Sequence, residues 1–178
     1  MNRIISKNKK KISKWLTIIE KKVLIDNKTK IYHNIQTFNY VSILAINECG
    51  KIPLVKQFRP SYEKYTIEFP SGLIDQRTPI KEIAKSEIIE ETGLIPHSNF
   101  KLFGKIKTDT GRCQNYLYAY FMKTKFNKKK FKKEKNIELI LVTLKQLKQL
   151  IINGKFDHAL HLAVYSLAEA KNLLPKIK

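Results

Sequence analysis

Residues 72–94 read GLIDQRTPIKEIAKSEIIEETGL. Thr78-Pro79 supplies a cap followed by proline at the first helical position. Ile80, Ala84 and Ile88 recur four apart with Ile83 beside them, so the spacing predicts a helix with one apolar stripe. Gly93 ends it, and Pro96 lies just beyond. Glu87, Glu90 and Glu91 stand at i, i+3 and i+4, which puts them on one helical face. Like charges so spaced repel by roughly a few tenths of a kcal/mol per solvated pair, and by more when partly buried. They also sit near the helix end whose dipole disfavours negative charge. A divalent cation reverses that sign, and Mg²⁺ prefers carboxylate oxygens. The plainer alternative is a solvated acidic patch, and the three glutamates alone do not separate the two.

Working outward, short runs from Trp15 to Ile35 alternate β-like, with Asp26-Asn27-Lys28 as a hairpin turn. Val41–Ile46 and Ile52–Phe58 are stronger strands, separated by Glu48-Cys49-Gly50. Tyr65–Phe69 is a short strand closed by Pro70-Ser71-Gly72. Beyond the helix, Phe100–Lys107, Tyr116–Met122 and Ile137–Val142 read as strands, and Asp109–Arg112 as a turn. Leu144–Ile152 reads as a helix, and Asp157 as the cap of a last one from Ala159 to about Lys171. Strands mixed with helices, without strict alternation, give an α+β class. The expected organisation is a basic tail (1–12), a β arm (13–38) and one main domain (39–178).

The 178 residues suffice to bury a core without staples. No apolar run approaches a bilayer span, and the basic N-terminus lacks the apolar stretch of a secretory signal. Cys49 and Cys113 form no CxxC, so both are expected as free thiols in a reducing, cytoplasmic compartment. Lys plus Arg number 35 against 15 acids, a formal charge of +20. That charge suits a phosphorylated small substrate. It equally suits a solvated lysine surface, and nucleic acid is the less favoured partner because few aromatics interleave the one dense run, Lys128–Lys135.

The 72–94 stretch resembles the Nudix box, G-x5-E-x7-R-E-U-x-E-E-x-G-U, where U is a bulky aliphatic. Gly72, Glu87, Ile88, Glu90, Glu91, Gly93 and Leu94 fall in register. The preceding KQFRPSYEKYTIEFPSGLID, and later DTGRCQNYLYAYF and GKFDHALHLA, resemble the ADP-ribose and ADP-sugar pyrophosphatase branch. The likeness runs from about Lys56 to Ala170. It implies a Nudix fold, a mixed β-sheet sandwiched between helices, with a strand-rich N-terminal arm that meets a second copy in a homodimer. Two positions depart from the box. Thr78 stands where it has Glu, and Ser86 where it has Arg, so a structural ion pair is lost as a pair, which costs less than stranding one partner.

The resemblance further implies Mg²⁺-dependent hydrolysis, with Mn²⁺ as a substitute, of the diphosphate bond of ADP-ribose or another nucleoside-diphosphate sugar. The products are AMP and a sugar phosphate. Glu87, Glu90, Glu91 and the Ser71 carbonyl are the implied metal ligands. Glu134 is the implied base, and Glu90 shares the catalytic assignment. Arg59, Glu68, Arg112 and Asn115 are implied to bind substrate. His158 and His161, three apart on the last helix, lack an evident third ligand and read as packing or solvated side chains. Trp15 reads as a core residue. The alternatives are another nucleoside-diphosphate derivative (a dinucleotide, a nucleoside triphosphate or an RNA cap) and an inactive binder of nucleic acid or anions.

Overall fold

The hairpin expected around Asp26 forms between β2 (Thr17–Ile25) and β3 (Lys28–Gln36), preceded by β1 (Arg3–Lys11). Asp26 and Asn27 take φ of 49° and 61°. That left-handed pair gives a two-residue turn whose twist matches its strands. The computed structural model describes residues 2–75, 77–127 and 136–175. Residues 3–11, expected as a tail, are a strand running antiparallel to β2 from Arg3↔Leu24 to Lys11↔Thr17. Every side chain of β1 is exposed. The backbone ladder alone orders it, so no apolar alternation announces it. Strands β1 to β3 form a three-stranded sheet.

By contact the chain divides into a first unit, Met1–Asn39 with Lys107–Tyr116, and a second, Tyr40–Ile106 with Leu117–Lys178. In the first unit Ile35 bridges Cys113, and the Asn115 amide donates to the Phe38 carbonyl at 3.0 Å. Trp15 is not a core residue there. It is 42% exposed, and its ring meets Phe38 edge-on.

Apart from the end residues Asn39, Lys107 and Tyr116, the second unit holds β4 (Asn39–Asn47), β5 (Ile52–Arg59), β6 (Lys64–Glu68), β7 (Ser71–Ile74), α1 (Ile80–Thr92), β8 (Leu94–Lys107), β9 (Tyr116–Phe126), β10 (Ile137–Val142), α2 (Leu144–Ile152) and α3 (Ala159–Ala170). One sheet runs β7-β4-β9-β8 and another β10-β5-β6. Strands β4 and β9 are parallel, Tyr40↔Leu117 through Asn47↔Thr124. Period-two alternation gives them two buried faces. Val41, Ile43, Ala45, Tyr120 and Met122 meet Ile83, Ala84 and Ile88 of α1. Leu44, Leu117, Ala119 and Phe121 join the opposite core, with Leu144 and Leu147 of α2 and Val164, Tyr165 and Ala168 of α3. Helices thus cover both faces of mixed strands, an α+β arrangement.

Three local expectations shift. Helix α1 starts at Ile80, and Pro79 rather than Thr78 holds the cap position, with no side-chain cap bond. The Pro79 carbonyl receives the Glu82 and Ile83 amides instead. His158, not Asp157, caps α3, and its side chain makes no cap bond. Ser71 and Gly72, expected with Pro70 to close the preceding strand, instead begin a strand of their own, Ser71–Ile74. Gly93 does end α1, at φ 73°, with its amide on the Ile89 carbonyl. Helix α2 begins with a full capping box between Thr143 and Gln146.

Candidate active site

The apolar stripe of α1 fixes where its glutamates go. With Ile83, Ala84 and Ile88 buried against the sheet, Glu91 is drawn in and becomes buried, Glu87 is half-buried and Glu90 is exposed. The Ser71 amide donates to Glu91 Oε2 at 2.9 Å. The next residue is Gly72, and a Cβ there would lie 1.9 Å from Glu87 Oε1 and 2.1 Å from its Cδ. Glycine is required because the carboxylate occupies the space a side chain would fill. Two carboxylates four residues apart are therefore laid on two consecutive residues of one segment. The Ile43 amide holds that segment from behind through the Pro70 carbonyl at 2.8 Å. These contacts bind segment to helix in a chain that has Thr78 and Ser86 where the box has its ion pair.

The donor set suits a hard divalent ion. It is oxygen only, and Mg²⁺ commonly takes one or two carboxylates with waters and substrate phosphates rather than a closed protein cage. The arrangement is open. Glu87, Glu90 and Glu91 do not gather as a triad within 4.8 Å. Among the described residues the set that does is Glu68, His158 and His161.

That second set is occupied by hydrogen bonds. Glu68, fully buried, takes Arg59 Nε on Oε1 at 2.8 Å and Arg59 Nη2 on Oε2 at 2.6 Å. The Thr66 hydroxyl adds a bond to Oε1 at 2.6 Å. His161 Nδ1, 3.9 Å from Glu68 Oε2, accepts the Phe69 amide at 3.1 Å. A cation there would have to displace a guanidinium and an amide. Burial raises the Glu68 carboxyl, but the bonds from Arg59 and Thr66 and the nearby charges outweigh it and hold the group at about 2. Burial, helped by His158, lowers His161 to about 3, so its ring is neutral with the proton on Nε2. Arg59 is raised, chiefly by its bond to Glu68 and then against burial by the charges of Glu68 and Glu91. The guanidinium side chain is 39% exposed, with its Glu68 partner at 0%. It is a cation braced from the interior and presented at the surface, within the field of Glu91.

Of the residues singled out in the sequence, Glu87, Glu91, Ser71, Arg59 and Glu68 come together in the second unit. Glu90 lies on the exposed side of the same helix. Glu134 falls outside the described residues. Arg112 and Asn115 belong to the first unit. The Arg112 carbonyl takes the Ile35 amide at 2.7 Å. Asn115, buried, is engaged with Phe38 and with the Thr108 hydroxyl. Its side chain braces a loop. Thr66 and His161 were not singled out for the site. A threonine two before Glu68 on one strand shares its face, and that signal was legible. His161 reaches Phe69 from 92 residues away, and no local pattern shows it.

Comparison with known proteins gives the family and the fold. The NUDIX domain model matches residues 37–163. An ADP-ribose pyrophosphatase of Bacillus subtilis is 26% identical over 114 residues, 62% of this chain and 61% of that protein. One of Mycobacterium tuberculosis is 38% identical over 61 residues, 34% and 30% respectively. An uncharacterised Nudix hydrolase of Schizosaccharomyces pombe is 31% identical over 72 residues, 40% and 35%. The matches thus span from under a third to about three-fifths of these relatives' lengths. A crystal structure of an ADP compounds hydrolase superposes with a TM-score of 0.80 at 15% identity, covering 96% of this chain and 93% of that one, a likeness of fold. With the family model matching most of its length and a carboxylate helix laid against its glycine loop, the chain belongs to the Nudix hydrolase family.

Proposed function

We propose that the chain hydrolyses the diphosphate bond of ADP-ribose or a related nucleoside-diphosphate sugar, releasing AMP and a sugar phosphate. The observation that carries this reading is the placement of Glu87 and Glu91 on Ser71-Gly72, close enough to Arg59 that Glu91 helps hold its charge. The names of the Bacillus and Mycobacterium relatives support the choice of substrate.

Glu87, Glu90, Glu91 and the Ser71 carbonyl are the residues that would hold Mg²⁺, or Mn²⁺ in its place. When bound, such an ion would supply charge neutralisation at the phosphates and a more acidic water. Arg59 has two of its N–H donors fixed on Glu68 and offers the rest of its fork to a phosphate or ribose oxygen. Glu68 then acts through Arg59, holding the fork so that little orientational freedom is lost on binding. Glu134 is the candidate base for the attacking water, and Arg112 and Asn115 are candidate substrate contacts. The exposed Ile4, Ile5, Ile12, Ile31 and Tyr32 of the first unit favour a second copy covering that sheet.

The test is a panel of ADP-ribose, other nucleoside-diphosphate sugars, a dinucleotide, a nucleoside triphosphate and a capped RNA, with Mg²⁺ and with EDTA. The expected result is AMP release from ADP-ribose at the highest kcat/KM, abolished by EDTA. A higher kcat/KM on the dinucleotide, triphosphate or cap reassigns the substrate. No turnover of any compound removes the enzymatic reading.

A further inference from the structure

A second cleft lies along the edge of β6, opposite the connection from α2 to α3. Its volume is about 670 Å³, and its lining includes Lys56, Lys64, Lys155, Tyr62, Tyr65 and His158. None of the α1 glutamates lines it. Lys56 is 3.5 Å from Glu138. Lys64 and Lys155 make no ion pair among the described residues, and Asp157 is the acid in the lining. Tyr62 and Tyr65 are 71% and 64% exposed, and Lys56 Nζ sits 5.5 Å from the Tyr65 ring centre. Helix α3 starts at this wall, at His158 and Ala159, without a side-chain cap, and an uncapped helix start carries a partial positive charge. His158 also lines this wall, with its ring 4.3 Å from that of His161.

These features ask for one ligand chemistry. Free ammonium groups and an uncapped helix start take a phosphate. Two exposed rings beside them take a planar base, whose π-face stacks irrespective of sequence. The volume lies within the range of small-molecule sites, roughly 300–1,000 Å³. We propose that this cleft is a second site that binds a nucleotide, its phosphate on Lys64 and Lys155 and its base on Tyr65. The nucleotide comes either free or as one unit of a single-stranded nucleic acid.

The experiment measures anisotropy of a fluorescein-labelled ten-nucleotide oligouridylate on the full-length protein in EDTA, so hydrolysis plays no part. K64A/K155A is expected to weaken binding at least tenfold and to lower the salt slope of log affinity by about 1.4, two phosphates' worth. Tyr65→Ala is expected to weaken it at least fivefold with the salt slope unchanged. Circular dichroism and ADP-ribose turnover of both variants check the fold. Unlabelled AMP competes in a second arm. Displacement that K64A/K155A abolishes shows that a free nucleotide suffices. No displacement, with the same losses in the variants, assigns the site to a nucleotide within a strand. Unaltered affinity in both variants, or no binding of either probe at millimolar concentration, overturns the proposal.

Discussion

Glu68 and Glu91 are both buried carboxylates of the second unit, at 0% and 4% exposure, and their surroundings differ in kind. Glu68 is met by a bidentate guanidinium and a hydroxyl, and its charge is neutralised on the spot. Glu91 lies at the negative end of a helix, one and four residues from two other acids, with a backbone amide on one oxygen. The first arrangement spends its charge on holding the structure. The second sets its carboxylate beside the Glu87 and Glu90 acids of the same helix, the face proposed above to hold the divalent ion. A buried acid grouped with other acids on one helical face is a functional candidate, whereas one closed in a bidentate ion pair is a brace.

The largest effect should come from Glu91→Gln. The amide oxygen still accepts the Ser71 N–H, so the segment stays in place while one charge is lost. We expect kcat on ADP-ribose with Mg²⁺ to fall about a thousandfold, roughly 4 kcal/mol of barrier. Thermal unfolding should stay within about 2 °C, because relieved repulsion offsets lost packing. Glu68→Gln should do the reverse. It leaves the Arg59 guanidinium half-buried without its counter-charge, at a cost of about 3 kcal/mol, or about 6–12 °C in Tm. Its kinetic loss should appear in KM, through Arg59, more than in kcat. Equal losses of activity and of Tm in the two variants would erase the distinction between them.

A smaller change sharpens the comparison on the open side. Gly72→Ala places a methyl 1.9 Å from Glu87 Oε1. The atom it meets is the end of a side chain, so the carboxylate swings aside while helix and strand remain. Misplacing a catalytic group by about 1 Å costs up to about a hundredfold, and we expect a loss of tenfold to a hundredfold in kcat with near-native Tm. Serine at the same position should lose as much. Full activity in either variant would show that the Glu87 position is not critical.

Much of this was legible because the physics is local. The α1 stripe, its glycine stop and the i, i+3, i+4 glutamates all follow from 3.6-residue periodicity, and the Gly72 requirement sits inside the same short stretch. The apolar runs of β4 and β9 marked them as strands. What escaped depends on distant partners. Strand β1 is ordered by its ladder to β2 with every side chain exposed, so its letters look like a tail. The bond of the Asn115 amide to the Phe38 carbonyl, 77 residues away in sequence, is likewise invisible to any local pattern. His161 acquires its role from Phe69 across the whole domain.

His161 gives the mildest test, through pH. An unfolded histidine takes its proton near 6.5 and the folded one at about 3, so between those values the unfolded state holds more protons and stability falls as pH drops. Glu68 acts the same way lower down, from 4.5 to about 2. Between pH 6.5 and 4.5 the loss therefore comes from His161 rather than Glu68, at up to about 1.4 kcal/mol per pH unit. His161→Asn can still accept the Phe69 amide through its side-chain oxygen, but it does not titrate. Urea unfolding at pH 7.0, 5.5 and 4.5 should show a declining wild type and a flatter variant, and the wild type should stay the steeper of the two down to about pH 3, with Glu68 adding the same loss to both below 4.5. Identical slopes above 4.5 would mean that the neutral ring contributes nothing to the acid sensitivity, and that the Arg59–Glu68 brace stands without it.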